Sequence, residues 1–347
     1  MSRFVLSPPP SCFNMRCMGA ILEVRDLRVT YHPPKGGSHR ALDGVSFHLE
    51  PGEVMGVLGE SGSGKSTLAT SLLGLFHANA VAVSGEVLLE GRNLLQAKLE
   101  ELEKIRGKCI SLIFQEPSVA LHPTMRTGRQ VRQVLAAHGV KGGSTLDQRT
   151  RGVLEMLFLA EEAERIARSY PHQLSGGQRQ RILIAQAIAC GPSVVIADEP
   201  TASLDPTTQM EILGVFRTLR KNLGLAMIFI THNPALLGGF ADRVLVLYAG
   251  RIVELGPAEK VLASPRHPYT RSLFQAIPPF LSETHSAHKK KLAAIPGDSL
   301  ASSLPREGCP FEPRCPERMD VCKSQEPGLV KLSEAHVVSC FRYEGQE

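Results

Sequence analysis

No apolar stretch in this sequence approaches the roughly 18 consecutive residues that a membrane-spanning helix needs. The best candidate, Leu72 to Val83, is short and interrupted by His77 and Asn79. If the protein works at a membrane, another chain does the spanning. A secretory leader is missing as well: Met1 to Met18 hold no apolar core, and Pro8-Pro9-Pro10 would break one. Residues 1–19 read as a disordered N-terminal tail, with Met18, just before the first strand, a candidate alternative start. Charge of one sign is not concentrated. The 39 basic and 34 acidic residues are interspersed and leave a net charge of +5, unlike the single basic face of a dedicated nucleic-acid binder. Lys289-Lys290-Lys291 reads as solvated linker. Eight cysteines without a leader argue against a disulfide framework. There is no internal repeat.

What is present is an ordinary globular composition, 43% hydrophobic and 21% charged, over 347 residues. That is enough for one large core and a smaller appended unit. Strands are expected over Ala20 to Tyr31, Val45 to Leu49, Val54 to Leu58, Ser193 to Ala197, Ala226 to Ile230 and Val244 to Tyr248. Between Val119 and Ile188 the apolar spacing turns helical, as in Arg129 to Ala137 and Arg151 to Leu159. A helical insertion in a mostly parallel sheet is the expected plan. After Gly256 prolines and cysteines become frequent, and Ser282 to Lys291 is a polar linker.

Gly59-Glu60-Ser61-Gly62-Ser63-Gly64-Lys65-Ser66 fits the phosphate-loop pattern in full. Glycines let successive backbone N–H groups turn inward on a phosphate, and the helix beginning near Lys65 adds its positive dipole end. Lys65 is placed for the β- and γ-phosphates and Ser66 for magnesium. The apolar strand before it supplies the context that a chance glycine turn lacks. In Ser193 to Pro200, Asp198 and Glu199 close an apolar strand, at the end where open α/β sheets bind ligands. Asp198 is the candidate to hold magnesium through its water shell, and Glu199 to polarise an attacking water. An isolated Asp-Glu is commonly a solvated turn, but here it accompanies an intact phosphate loop. Ser175 in Leu174-Ser175-Gly176-Gly177-Gln178 is a helix N-cap by composition, and the same glycine run suits an anion.

With Leu174 to Gln178 the chain resembles the ABC ATPases, whose signature is LSGGQ, and the likeness extends over nearly its whole length. The resemblance implies an α/β fold: a phosphate-loop NTPase cassette with a RecA-like core over 20–257, an inserted helical subdomain at about 118–180, and a small cysteine-containing extension over 258–347. It implies ATP and Mg2+ as cofactors. Tyr31 would stack on adenine, while Gly59, Ser61, Gly62, Gly64, Lys65, Ser66 and Thr67 would surround the phosphates. Ser66 and Gln115 would touch the metal, with Asp198 beside them, and Gln115 would also meet a transmembrane partner. Glu199 and His232 would be catalytic, the latter as the switch histidine. Ser175, Gly177 and the D-loop residue Asp205 would act across a head-to-tail dimer with a second, identical or homologous ATPase chain. Asn233 departs from the family's usual Asp and leaves His232 in place.

His267-Pro268-Tyr269-Thr270, Ala276-Ile277-Pro278 and Gly308 to Pro316 are similar to the C-terminal region of oligopeptide and dipeptide importer ATPases. Nickel and oligosaccharide importers share that likeness. It implies two transmembrane permease subunits, an extracytoplasmic solute-binding protein, no nucleic acid, and a peripheral place on the cytoplasmic face of the membrane. Cys309, Cys315, Cys322 and Cys340 are spaced by 5, 6 and 17 residues, matching neither tight zinc pairs nor ferredoxin runs. The resemblance implies a [4Fe-4S] cluster; a zinc clip and unligated thiols are the alternatives. The four-cysteine centre, well after Gly256 in sequence and away from Lys65 and Glu199, is expected to have a structural or assembly role and no part in hydrolysis. A soluble ABC ATPase of DNA repair or translation usually joins two cassettes or inserts a long coiled coil. One cassette is present here, and only 110 positions without heptads separate Lys65 from Ser175. Intact Glu199 and His232 count against a regulator without turnover.

Overall fold

The computed structural model describes residues 19–32, 37–76, 80–276, 295 and 307–345. The tail expected before Gly19, the linker Ser282 to Lys291, and Ile277-Pro278 lie outside the described residues. The described strands are β1 (Leu22–Tyr31), β2 (His39–Leu49), β3 (Val54–Leu58), β4 (Ala80–Leu89), β5 (Arg92–Asn93), β6 (Ile110–Ile113), β7 (Val194–Asp198), β8 (Ala226–Ile230), β9 (Arg243–Tyr248), β10 (Arg251–Pro257), β11 (Val330–Ser333) and β12 (His336–Val338). The helices are α1 (Lys65–Ser71), α2 (Leu99–Ile105), α3 (Pro117–Ala120), α4 (Thr127–Ala137), α5 (Gly143–Glu155), α6 (Ala160–Arg168), α7 (Gly176–Ile188), α8 (Pro206–Leu223), α9 (Ala258–Ala263) and α10 (Pro268–Gln275).

The larger sheet runs β11-β12-β10-β9-β3-β8-β7-β6, and a second sheet runs β2-β1-β4-β5. The five strands β9-β3-β8-β7-β6 are parallel, which the continuous apolar runs foretell, because such strands are buried on both faces. Alternate residues of β7 divide accordingly. Val194 and Ile196 enter the core shared with the second sheet, while Val195 and Ala197 enter the core shared with the helices. The other strands are antiparallel, so a mostly parallel sheet accounts for only part of the architecture. β2 starts at His39 rather than Val45. Ala249 and Gly250, with φ of 48° and 77°, turn β9 into β10, the two-residue connection whose twist matches its flanking strands.

Helices α3 to α7 lie in sequence between β6 and β7. Their start shows why spacing alone set α5 too late. Ser144, Thr145 and Asp147 interrupt the apolar pattern of its first turns, yet Leu146 and Thr150 are buried. In α8, Asp205 caps the Thr208 N–H at 3.0 Å, Pro206 opens the first turn, and Gly224 ends the helix with φ of 64°.

The C-terminal segment is not a free appendage. β12 pairs with β10, Glu254 opposite Val338, and β11 continues the sheet from there. Glu254 is fully buried and accepts from the N–H groups of Arg266 (2.8 Å) and His267 (2.9 Å) and from His336 Nε2 (3.0 Å). Burial alone would raise its pKa, but these donors outweigh it and hold the carboxylate below its ordinary value. Phe311 is buried against Tyr248 and Tyr269, with ring centroids 5.3 and 5.4 Å away, within the range of favourable aromatic pairs.

Candidate nucleotide site and its surroundings

The end of β3 leads directly into the phosphate loop. Two glycines there answer to sterics. A Cβ on Gly59 would lie 2.4 Å from the Leu247 carbonyl oxygen, and one on Gly64, whose φ is 105°, would lie 2.5 Å from that of Ala41. Ser61, Gly62, Gly64, Lys65, Ser66 and Thr67 line one cleft of about 640 Å³ together with Gln115, Glu199 and His232. Lys65 donates from Nζ to the carbonyls of Gly59 (2.7 Å) and Glu60 (2.8 Å). Burial lowers its pKa, while Glu199, Asp198 and Glu60 oppose that fall.

Asp198 lies at the end of β7. Its pKa is raised, first by burial, against a hydrogen bond from Ser66, and its Oδ1 is buried without a hydrogen-bond partner. An orphaned carboxylate oxygen beside a serine hydroxyl is a donor set that suits a hard divalent cation. Glu199 follows in a left-handed backbone conformation, φ 47°, with its N–H tied to the Ile230 carbonyl at 3.0 Å. Such strain is tolerated where surrounding structure over-determines it, often at functional sites. Its Oε2 lies 3.1 Å from His232 Nδ1 and 3.4 Å from Gln115 Nε2. The His232 hydrogen bond is the main cause that lowers the Glu199 pKa, and Glu199 in return raises that of His232.

Four expected site residues stand elsewhere in this single chain. Ser175 caps α7, accepting from Gln178 N–H at 3.2 Å while Gln178 Oε1 accepts from Ser175 N–H at 3.1 Å, a reciprocal capping box. A Cβ on Gly177 would lie 2.7 Å from Thr208 Cγ2, so the signature turn is seated on the first turn of α8, which Asp205 caps. Tyr31 does not line the cleft; it packs partly buried on the core shared by the two sheets. Its antiparallel neighbour His39 does line it, with Ala41 and Ala202. No sequence signal singled out those three.

Beside Gln115 opens an apolar groove of about 670 Å³, whose lining includes Leu73, Leu75, Phe114, Val119, Ala120 and Leu183. Phe114 is 53% and Val119 80% exposed, and with the groove they make a contiguous apolar patch of the kind that marks interaction sites.

Cys309, Cys315, Cys322 and Cys340 are free thiols gathered in one region. The Cys309 N–H donates to the Cys322 carbonyl at 2.8 Å, and a Cβ on Gly308, φ 87°, would lie 2.4 Å from that oxygen. Burial, with help from neighbouring thiols, pushes Cys309 up to about 12 and Cys315 to about 11. Among the described residues no three His, Cys, Asp or Glu side chains close into a metal-holding group. The four thiols therefore have the donor chemistry for a thiolate-bound centre without its assembled geometry. Cys109 is buried in the core.

The extension reaches the phosphate loop. Arg314 sends its two terminal nitrogens to Glu60 Oε2 (2.7 Å) and Oε1 (3.0 Å), and the Glu60 N–H donates to Tyr269 Oη at 2.8 Å. Glu60 occupies an unspecified position of the loop motif, and 254 positions separate it from Arg314. Nothing in the linear pattern joins them.

A parallel-sheet core with a phosphate loop, two carboxylates at a strand end, a glutamine and a histidine in one cleft defines a nucleotide-hydrolysing cassette. Residues 42–202 match the ABC transporter family, and residues 253–322 match the oligopeptide/dipeptide transporter C-terminal region. A probable peptide ABC transporter ATP-binding protein of Sinorhizobium fredii is 40% identical over 93% of this chain and 95% of its own length. An oligopeptide transport ATP-binding protein of Escherichia coli is 39% identical over 93% of both. An ATP-binding cassette solved as a dimer in a post-hydrolysis state with ADP and phosphate is 29% identical, superposing with a TM-score of 0.60 over 68% of this chain and 98% of the other. The chain belongs to the family of ABC transporter ATP-binding subunits.

Proposed function

We propose that this chain is the ATP-hydrolysing motor of a peptide importer and couples ATP binding and turnover to solute uptake through transmembrane partners. The carrying observation is the cleft that unites Lys65, Ser66, Gln115, Glu199 and His232. Lys65 exchanges its bonds to the loop carbonyls for phosphate oxygens. Ser66, Asp198 and Gln115 would hold magnesium, which when bound neutralises phosphate charge. Glu199 takes the proton of the attacking water, with His232 holding its carboxylate in place and Gln115 reporting the state of the cleft to the groove beside it.

Ser175, Gly177 and Asp205 act on the partner chain's nucleotide, in support of which the signature turn lies outside the cleft of its own chain. Tyr31 contributes to the adenine side from its place next to His39. The exposed Phe114–Val119 groove receives a helix of a permease subunit, and two such subunits with an extracytoplasmic receptor complete the importer on the cytoplasmic face. Among the described residues no helix is long and apolar enough to cross a membrane. Peptide is preferred to nickel or oligosaccharide as solute because the Sinorhizobium fredii and Escherichia coli relatives both carry peptide names. The division into a cassette over 20–257 and an extension over 258–347 remains a functional one, the extension holding a [4Fe-4S] centre, or zinc, on its four cysteines. Support for that centre comes from four free thiols in one region.

Cells lacking the chain should lose uptake of labelled di- and oligopeptides and keep nickel uptake; the reverse result would move the substrate to metal. Anaerobically purified protein should contain about four irons per chain. Stoichiometric zinc would replace that reading, and no metal would return the cysteines to plain thiols.

A further inference from the structure

The phosphate loop is gripped from outside the cassette motifs at its second residue. Glu60 receives a two-pronged bond from Arg314, whose side chain is 6% exposed. The same guanidinium carbon lies 5.8 Å from the Tyr248 ring centre, and its Nη1 reaches Tyr248 Oη at 3.4 Å. Tyr269, fully buried, accepts from the Glu60 backbone. Side chain and main chain of Glu60 are thus both held by residues C-terminal to Gly256, with Tyr248 on β9 backing Arg314. The Glu60 carbonyl is in turn one of the two acceptors for Lys65 Nζ. A planar fork on a carboxylate fixes orientation as well as charge.

We propose that Arg314 is a positioning residue for the phosphate loop, through which the C-terminal extension sets the affinity for ATP. Arg314 is not among the residues that line the cleft. It fixes Glu60, and Glu60 fixes the backbone from which Lys65 must depart toward phosphate. Whatever disturbs the segment between Cys309 and Cys315 is therefore felt at Lys65. This inference rests on reading Gly59 to Ser66 as the ATP site.

The test uses the full-length chain in its assembled complex, with Arg314→Met, Glu60→Gln, the double variant, Arg314→Lys and Lys65→Ala. Arg314→Met and Glu60→Gln should each raise the ATP KM about tenfold with kcat kept within about twofold, and the double variant should match a single one, since partners in one network are non-additive. Arg314→Lys, which keeps charge but loses the fork, should recover only part of the loss. Lys323→Gln, which removes an exposed pair with Asp320 in the same segment, should leave the KM unchanged. Two results would overturn the inference: an unchanged KM in folded Arg314→Met and Glu60→Gln proteins, or additive losses of about a hundredfold in the double variant. If Lys65→Ala abolishes ATP binding while Arg314→Met leaves it intact, only the positioning role fails. Unimpaired ATP binding by Lys65→Ala would instead remove the ATP site on which it rests.

Discussion

The phosphate loop and the cysteine-bearing extension meet at Glu60, and they are ordered by different means. The loop hangs between β3, all five residues of which are buried, and α1, so its shape follows from a strand, a helix and two glycines that tolerate no Cβ. The described extension has two short helices, α9 and α10, two short strands and brief helical turns. It borrows its order from the cassette through β10, the buried Glu254–His336 contact and the Phe311 cluster. Local geometry makes the first region; long-range contacts make the second. A region of the second kind can carry information to the first because its own stability is not independent of it.

Three perturbations separate the two regions, beginning with the largest. Glu199→Gln should lower turnover by on the order of 10²–10⁴-fold, the usual contribution of a positioned general base. ATP binding should be retained, because Lys65 and the loop glycines are untouched. Steady-state hydrolysis and equilibrium nucleotide binding check the two halves, and undiminished hydrolysis would reassign the base.

Phe311→Ala probes the extension. Removing a buried Phe costs about 3–5 kcal/mol in typical cores, and Phe311 shares its cluster with Tyr248 of β9. The expected outcome is a lowered melting transition of the whole cassette, followed by calorimetry with and without ATP. A separate early transition, with the main one unmoved, would show that the extension is an independent unit after all.

The smallest effect is a titration within the cleft. Glu199 raises the His232 pKa above its ordinary 6.5, and the same bond holds Glu199 below its ordinary 4.5. The histidine's share of the pair is complete below 6.5 and is lost as pH rises through the raised folded value. The glutamate's share is complete above 4.5 and is lost as pH falls through the lowered one. The pair is therefore intact between those two folded-state values. In the nucleotide-free chain, His232 followed by NMR should titrate above 6.5, and Glu199→Gln should return it toward that value. An unmoved His232 in the variant would mean that the 3.1 Å contact does not persist in solution. Arg314→Met, by contrast, should leave this titration unchanged.

Much of the cleft was legible because its parts are local. Val54 to Leu58 is too uniformly apolar and too short for anything but a buried strand, and its bounds agree with the structure. Ala226 to Ile230 is legible for the same reason. Asp198 and Glu199 follow from a strand that must end where its ligands lie. Legibility failed where pairing partners are distant. β10 and β12 carry modest patterns of their own and become strands by adding to an existing edge. The pattern around His39 signals no strand, yet antiparallel pairing to β1 extends β2 to His39 opposite Tyr31.

What the sequence determined by itself is the chemistry. The order of loop, glutamine, signature, carboxylates and histidine carries the proposed phosphate, metal and water-activating roles, because each motif is a short segment whose backbone and side chains act together. What the tertiary structure decided is who holds the loop. Arg314 and Tyr269 reach Glu60 only because β10 returns along β9 and the chain after it folds back over Tyr248. A contact across 254 positions leaves no periodicity, spacing or composition to read. The energy that selects it lies in burying Phe311 and in the hydrogen bonds that offset the burial of Glu254, and both exist only once the sheet has formed.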